Sequence, residues 1–326
     1  AYTYINAENS TLNYINTRTI NNDDSIFMNA KNSTVNLLSG TDITSGNQKV
    51  TGIYAEGSMI TNAGTLTLTG DRVSAIYSKD GSVVNNASGK ITISKDGSGM
   101  YIVGSSAGVT GNNYGEIVIG EGSVGMRAEN AGITNQQNGK ITGSGIKALG
   151  MSQSGGTQNI ENKGAIILTG DKSIALHSEG ITAANHKVIN TGDITVGDSS
   201  DVLNPAIGIY SANRINSTVE SIGKVTAGNK STGIYAGNIN LIGNSETKAG
   251  NGGIAVYSKE GTVNISENSK VIVGSTLGNG QEGVGVYLAG NNQILNSDTD
   301  NLSIGKGSIA YVMTGQGNNV RTGKLG

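Results

Sequence analysis

One short motif recurs along the 326 residues: a small or apolar residue, Gly or Ala, an aliphatic residue, usually Tyr, then a small or apolar residue. It reads Thr51-Gly52-Ile53-Tyr54-Ala55, Ser74-Ala75-Ile76-Tyr77-Ser78 and Ser98-Gly99-Met100-Tyr101-Ile102. Val124-Gly125-Met126-Arg127-Ala128 and a blurred copy at Ile146-Lys147-Ala148-Leu149 follow, then Ile174-Ala175-Leu176-His177-Ser178. Ile207-Gly208-Ile209-Tyr210-Ser211, Thr232-Gly233-Ile234-Tyr235-Ala236 and Ile254-Ala255-Val256-Tyr257-Ser258 come next. Val284-Gly285-Val286-Tyr287-Leu288 and Ile309-Ala310-Tyr311-Val312-Met313 complete the series, and Ser25-Ile26-Phe27-Met28-Asn29 is an early degenerate copy. Copies usually lie about 22 to 27 residues apart, a spacing that marks a solenoid.

Within each repeat the order of pieces is constant. The Tyr segment runs into a polar turn such as Lys79-Asp80-Gly81, then a short apolar segment such as Val83-Val84. An Asn-to-Gly turn follows: Asn62-Ala63-Gly64, Asn86 to Gly89, Asn113-Tyr114-Gly115, Asn162-Lys163-Gly164, Asn190-Thr191-Gly192. Asn and Gly tolerate the left-handed backbone of a sharp corner, which is the role expected of them here. A third segment alternates aliphatic and Thr, as in Leu66-Thr67-Leu68-Thr69 and Ile194-Thr195-Val196, which places the aliphatics on one face of a strand. The pattern predicts an all-β chain: a parallel, right-handed β-helix with three short strands per coil and about 12 coils. It is read as one segment over 1–326, with 1–24 irregular or an N-terminal coil and 25–326 the repeats. A propeller blade needs roughly twice this period, and a sandwich does not keep one motif in phase.

Composition excludes several classes. There are 51 Gly, one Pro, no Cys and no Trp, 14% of residues are charged, and the net charge is −2. No Lys/Arg stripe suits nucleic acid, and no apolar run is long enough for a membrane helix. Without Cys, thiol catalysis and cysteine-held metals are excluded. The chain starts at Ala1 without a signal-peptide pattern and ends on Gly323-Lys324-Leu325-Gly326 without an amphipathic cap, so it is read as an excised piece of a longer protein.

Strand alternation inside the Tyr motif places Ile53 and Ala55 inward, and Gly52 and Tyr54 outward. Seven of the twelve tyrosines then share one external column: Tyr54, Tyr77, Tyr101, Tyr210, Tyr235, Tyr257 and Tyr287, with Arg127 and His177 in two of its places. Such a column is an aromatic strip for a glycan or a protein, or like residues stacking to support the face. Its running the whole repeat gives stacking the greater weight. Two coils carry extra residues at the same phase, Gly197–Ala206 and Gly274–Gly283, about three coils or roughly 14 Å apart. Insertions in solenoids form loops on the binding face as readily as they drift without use. The candidate binding residues are therefore Tyr210, Tyr235, Tyr257 and Tyr287 with Asp198, Asp201, Asn279, Gln281 and Glu282.

No catalytic constellation stands out. A glycosidase needs two facing carboxylates, whereas Asp71, Asp80, Asp96, Asp171 and Asp193 fall in turns. His177 and His186 occupy different strands, no Gly-x-Ser-x-Gly elbow occurs, and no calcium-binding strand of acids is found. No enzyme activity, metal or cofactor is expected.

Repeats of the form Thr-Gly-Ile-Tyr-Ala, Asn-x-Gly-x-Ile-Thr-Ile and Gly-Asp-x-Ser, in an Asn/Lys/Ile-rich chain without Cys or Trp, resemble the passenger regions of type V autotransporters. The likeness is to the RadD-like outer-membrane adhesins of fusobacteria, and it covers the chain from about Ser25 onward. The resemblance implies a virulence-associated cell-surface segment, secreted and held by an outer-membrane barrel C-terminal to it. It also implies attachment to other bacteria, in coaggregation and biofilm, and to host cells, through surface proteins or glycans. A non-binding stalk of the same kind of protein is the alternative, and a carbohydrate-active β-helix enzyme a distant third. The family offers no motif for binding residues, so the candidates above rest on geometry alone.

Overall fold

The computed structural model describes residues 2–106 and 108–324. The chain divides into two compact units, Ala1–Ile166 and Ile167–Gly326. Each is a parallel β-solenoid with three strands per coil, and each sheet grows by pairing a strand with its equivalent one coil later. The Tyr-bearing strands form the first sheet of each coil, with seven copies in the first unit and six in the second. One coil more than the repeat count suggests arises at the start. Thr3–Glu8, Thr11–Tyr14 and Thr17–Thr19 make a full coil, with Asn6 and Asn29 standing where later coils have Tyr. Arg214–Asn216 is the only helical turn among the described residues, and no helix is long and apolar enough to cross a membrane.

The alternating third segment explains the core. In the first unit Ile43, Leu66, Ile91, Ile117 and Ile141 stack in register, all fully buried, while Thr44, Thr67, Thr92, Val118 and Thr142 face outward. Burying one such aliphatic is worth about 1.5–3 kcal/mol, repeated here at each coil. Charges add register. Lys90, Glu116 and Lys140 are consecutive partners in the first unit, and Asp193, Lys224, Glu246 and Lys270 in the second. Opposite charges on neighbouring strands favour this alignment and like charges oppose it.

Three local expectations are corrected. Gly52 does not face out. Thr51 and Tyr54 are outside, but Gly52 and Ile53 are both buried, and a Cβ on Gly52 would lie 2.5 Å from the Ala75 carbonyl. Two consecutive residues of the strand are thus buried, and period-two alternation fails there. The blurred copy at Ile146 is a turn, with Lys147 at φ 55°. The strand starts three residues later, pairing Met126 with Met151 and Arg127 with Ser152. The end at Gly323–Gly326 cannot be compared in full, because Leu325 and Gly326 lie outside the described residues.

The third correction concerns asparagine. Asn62, Asn85, Asn113, Asn135 and Asn162 are fully buried strand residues, and none adopts a left-handed backbone. The ladder member in its coil is Asn85, one residue before the Asn86 expected from sequence. Each side-chain Nδ2 donates to the next Oδ1 at 2.8 Å: Asn62 to Asn85, Asn85 to Asn113, Asn113 to Asn135, Asn135 to Asn162. The same amides close their own corner. Gly64 N donates to Asn62 Oδ1 at 3.1 Å, and Asn62 Nδ2 to Gly64 O at 3.2 Å. The glycine supplies tightness instead: a Cβ on Gly115 would lie 2.3 Å from the Asn86 carbonyl.

Close backbone approach gives a direct test. A Cβ on Gly120 would sit 1.8 Å from the Ser94 carbonyl oxygen, whereas one on Gly278 would meet nothing within 4 Å. Gly120→Ala is expected to destabilise the first unit by about 3 kcal/mol, at the upper end of overpacking costs. Gly278→Ala is expected to be neutral within about 0.5 kcal/mol. Urea unfolding of both variants checks this, and equal midpoints would refute the tight corner.

Candidate binding face

The Tyr column exists, and its rings stack. In the first unit Tyr54 and Tyr77 lie 5.1 Å apart and nearly parallel, and Tyr101 continues at 5.1 Å. Arg127 covers the far face of Tyr101 at 4.6 Å. In the second unit the run is His177, Tyr210, Tyr235, Tyr257 and Tyr287, with centroids 4.6–5.4 Å apart. The spacing follows from the distance between hydrogen-bonded strands. Each internal ring therefore has a neighbour on both faces. The column offers edges and hydroxyls to a ligand, and ring-face stacking on a sugar is blocked within it.

The hydroxyls divide the two units. In the first, Glu56 and Glu129, each two residues after a ladder position, accept from two of the three phenols, while the Tyr77 hydroxyl has no hydrogen-bond partner among the described residues and is followed by Lys79. Tyr54 donates to Glu56 Oε1 at 3.0 Å, and Tyr101 donates to Glu129. Arg127 Nη2 approaches the same Glu129 at 3.5 Å. Burial, then the Glu129 hydrogen bond, pushes the Tyr101 phenol up to about 12. Tyr77, between them, is raised by burial and by the charges of Glu129 and Glu56.

In the second unit Glu179 follows the His177 position, and the places after the four tyrosines hold Ala212, Gly237, Lys259 and Ala289. The hydroxyls of Tyr210, Tyr235, Tyr257 and Tyr287 have no hydrogen-bond partner among the described residues, and none is sealed from solvent. Burial raises the phenols of Tyr210, Tyr235 and Tyr257. The charge of Lys259 opposes this at both Tyr210 and Tyr257, while the charge of Glu179 adds to the rise at Tyr210.

Two depressions flank this ladder. The larger, about 400 Å³, is lined by Tyr210, Ala212, Arg214, Tyr235, Lys259 and Glu260, among others. It exists because corner lengths differ. Gly237 alone joins Thr232–Ala236 to Asn238–Leu241, while the preceding corner carries the Arg214–Asn216 turn and the following one Lys259 to Gly261. Arg214 spans the notch with a fork to Glu260, Nε to Oε1 at 3.0 Å and Nη2 to Oε2 at 3.3 Å. The second depression, about 370 Å³, joins Tyr287 to Ile254, Val284, Gly280, Gln281 and Glu282.

The nine candidate residues separate on this geometry. The four tyrosines form one row, and Gln281 and Glu282 reach it beside Tyr287. Asp198, Asp201 and Asn279 have side-chain oxygens occupied within the fold. Asp198 accepts from Asn229 N at 2.7 Å, Asp201 from Leu203 N and Asn204 Nδ2 at 2.9 Å, and Asn279 from Gln281 N at 3.0 Å. The backbone bond from Leu203 and the side chain of Asn204 hold the Asp201 carboxyl below its usual range. Leu203, 85% exposed, is the projecting tip of that loop. Sequence reasoning missed Arg214, Lys259 and Glu260. The available signal was the one-residue corner at Gly237, shorter than its neighbours on either side.

His177 ends the ladder and carries a pH dependence. Its ring stacks on Tyr210 at 5.4 Å, with Glu179 Oε2 3.9 Å from Nε2. Burial holds its pKa below the ordinary 6.5, partly offset by Glu179. On acidification the unfolded chain therefore takes up the proton first. Stability is full above the ordinary value and falls as pH drops through it, until the folded imidazole also protonates. His177→Tyr is expected to flatten the loss of urea stability between about pH 7.5 and 5.5. An unchanged slope in the variant would assign that loss to other groups.

Among the described residues no group of three His, Cys, Asp or Glu could hold a metal ion. No protein-family model matches the sequence, and neither a curated protein nor a solved structure is significantly similar to it.

Proposed function

We propose that this chain is a binding segment of a bacterial cell-surface adhesin of the autotransporter kind. In this reading it attaches to other bacteria or to host cells through their glycans or surface proteins. The observation that carries the reading is the row of four partnerless phenols, Tyr210, Tyr235, Tyr257 and Tyr287, bordered by two depressions. A ladder needed only for support gains from having its hydroxyls satisfied, as at Tyr54 and Tyr101 in the first unit. Leaving them open forgoes that gain and leaves donors for an external acceptor. The reading is of a binder and not an enzyme. Glu260 is the one carboxylate lining the larger depression, is tied to Arg214, and faces no second acid there.

The stacking itself favours a second reading, a stalk whose ladder only stiffens the sheet. Labelled protein added to bacterial and epithelial cells separates the two. Saturable binding that falls when the second-unit phenols are removed supports the adhesin. Binding to no cell type, while a longer protein containing this segment adheres, supports the stalk.

A further inference from the structure

We propose that the notch over Tyr210 and Tyr235 binds an anionic polysaccharide, with Lys259 and the phenol row donating to its carboxylate or sulfate groups. This rests on the second-unit ladder being a binding face and deepens that reading by naming the ligand chemistry. The argument is one of missing acceptors. In the first unit Glu56 and Glu129 accept from two of the three ladder phenols. In the second, Glu179 follows the His177 position, but no carboxylate follows Tyr210, Tyr235, Tyr257 or Tyr287 two residues on; Lys259 stands at one of these places, as Lys79 does after Tyr77, and only Lys259 borders the notch. Lys259 is exposed and makes no ion pair or side-chain hydrogen bond among the described residues.

The only acid in the notch is already used. Both oxygens of Glu260 accept from Arg214, whose side chain is 78% exposed and retains further N–H groups directed to solvent. What remains is a set of donors: an ammonium, phenol hydroxyls and part of a guanidinium. Such a set is completed by an oxyanion. The donors recur at the coil spacing, so a ligand with its own repeat engages several at once. This favours an acidic polysaccharide over a single acidic side chain. The acceptor cannot be added at the centre of the notch by the chain itself, because a Cβ on Gly237 would lie 2.7 Å from the Arg214 carbonyl.

The test uses the whole chain with four probes in calorimetry: polygalacturonate, dextran sulfate, neutral dextran and poly-glutamate. Binding of polygalacturonate or dextran sulfate, weakening as salt rises, with no binding of dextran, is the expected result. The first two probes decide whether carboxylate or sulfate is the preferred group. Lys259→Ala is expected to weaken binding at least tenfold, and Lys79→Ala in the first unit to leave it unchanged. Ala212→Glu restores to Tyr210 the acceptor that Tyr54 has in Glu56, and is expected to reduce binding at least tenfold while the protein stays folded by circular dichroism. Binding of none of the polymers, equal binding of dextran, equal binding of poly-glutamate, or indifference to Lys259→Ala would each overturn the proposal. Cell attachment distinguishes its failure from that of the wider reading. Lys259→Ala protein that still coats cells as wild type refutes the anionic site and leaves adhesion standing; polymer binding without cell attachment does the reverse.

Discussion

Replacing Asn113 by Ala is expected to lower the unfolding free energy by about 4 kcal/mol, the loss of two or more buried polar contacts at about 1–3 kcal/mol each. Asn113 is the middle of five amides in the first unit. Its Oδ1 accepts from Asn85 and from Gly115 N, and its Nδ2 donates to Asn135 and to Gly115 O. Alanine leaves the Gly115 N–H and the Asn135 Oδ1 without these partners in a place water does not reach. The chain also loses its continuity, since each amide polarises the next. Asn62→Ala is expected to cost about 1 kcal/mol less, the worth of the one amide bond it lacks. Asn62 ends the row and its other neighbour in register is Leu37, so no amide donates to it. Urea unfolding compares the two, and hydrogen exchange at Gly115 reports the local corner. Equal costs at Asn62 and Asn113 would show that the ladder acts as separate pairs.

The same slot explains why part of the fold was legible and part was not. In the second unit it holds Asn190, Ser221, Leu241, Ile265 and Ser297 in turn, so the slot is an inward position that accepts polar and apolar residues alike. Sequence showed Asn ahead of Gly and suggested a left-handed corner, because a turn-forming Asn and a buried Asn leave the same mark there. Only the register shows the amides meeting. The aliphatic columns were legible because their period is two within straight strands. Gly52 was misplaced because the period breaks where Gly52 and Ile53 are both buried in one strand, and the Ile146 copy because Ser152 replaces the Tyr that signals the phase elsewhere. The phenol row was legible as a column. Its division into satisfied and unsatisfied hydroxyls depended on a carboxylate two places after a ladder residue of the same coil, as Glu56 is for Tyr54, or of the next coil, as Glu129 is for Tyr101, and the sequence does not show that the side chain there reaches the hydroxyl.

That division sets opposite expectations for one substitution in the two units. Tyr101→Phe removes the donor to Glu129 and is expected to destabilise the first unit by about 1.5–3 kcal/mol, the range of a hydrogen bond to a charged group. Phe at Tyr210, Tyr235, Tyr257 and Tyr287 together removes hydroxyls that bond nothing in the chain, and is expected to keep stability within about 1 kcal/mol because every stacked pair survives. Binding to cells is expected to fall at least tenfold in that quadruple variant. Tyr235→Ala serves as the contrast. It deletes the one ring stacked at 5.2 Å on Tyr210 and 4.6 Å on Tyr257, and is expected to cost about 3 kcal/mol from lost burial and two aromatic contacts. A quadruple Phe variant that is stable and binds as wild type would make the ladder a support and move any binding to the flanking loops. One that is stable and no longer binds assigns the rings to the fold and the hydroxyls to the partner.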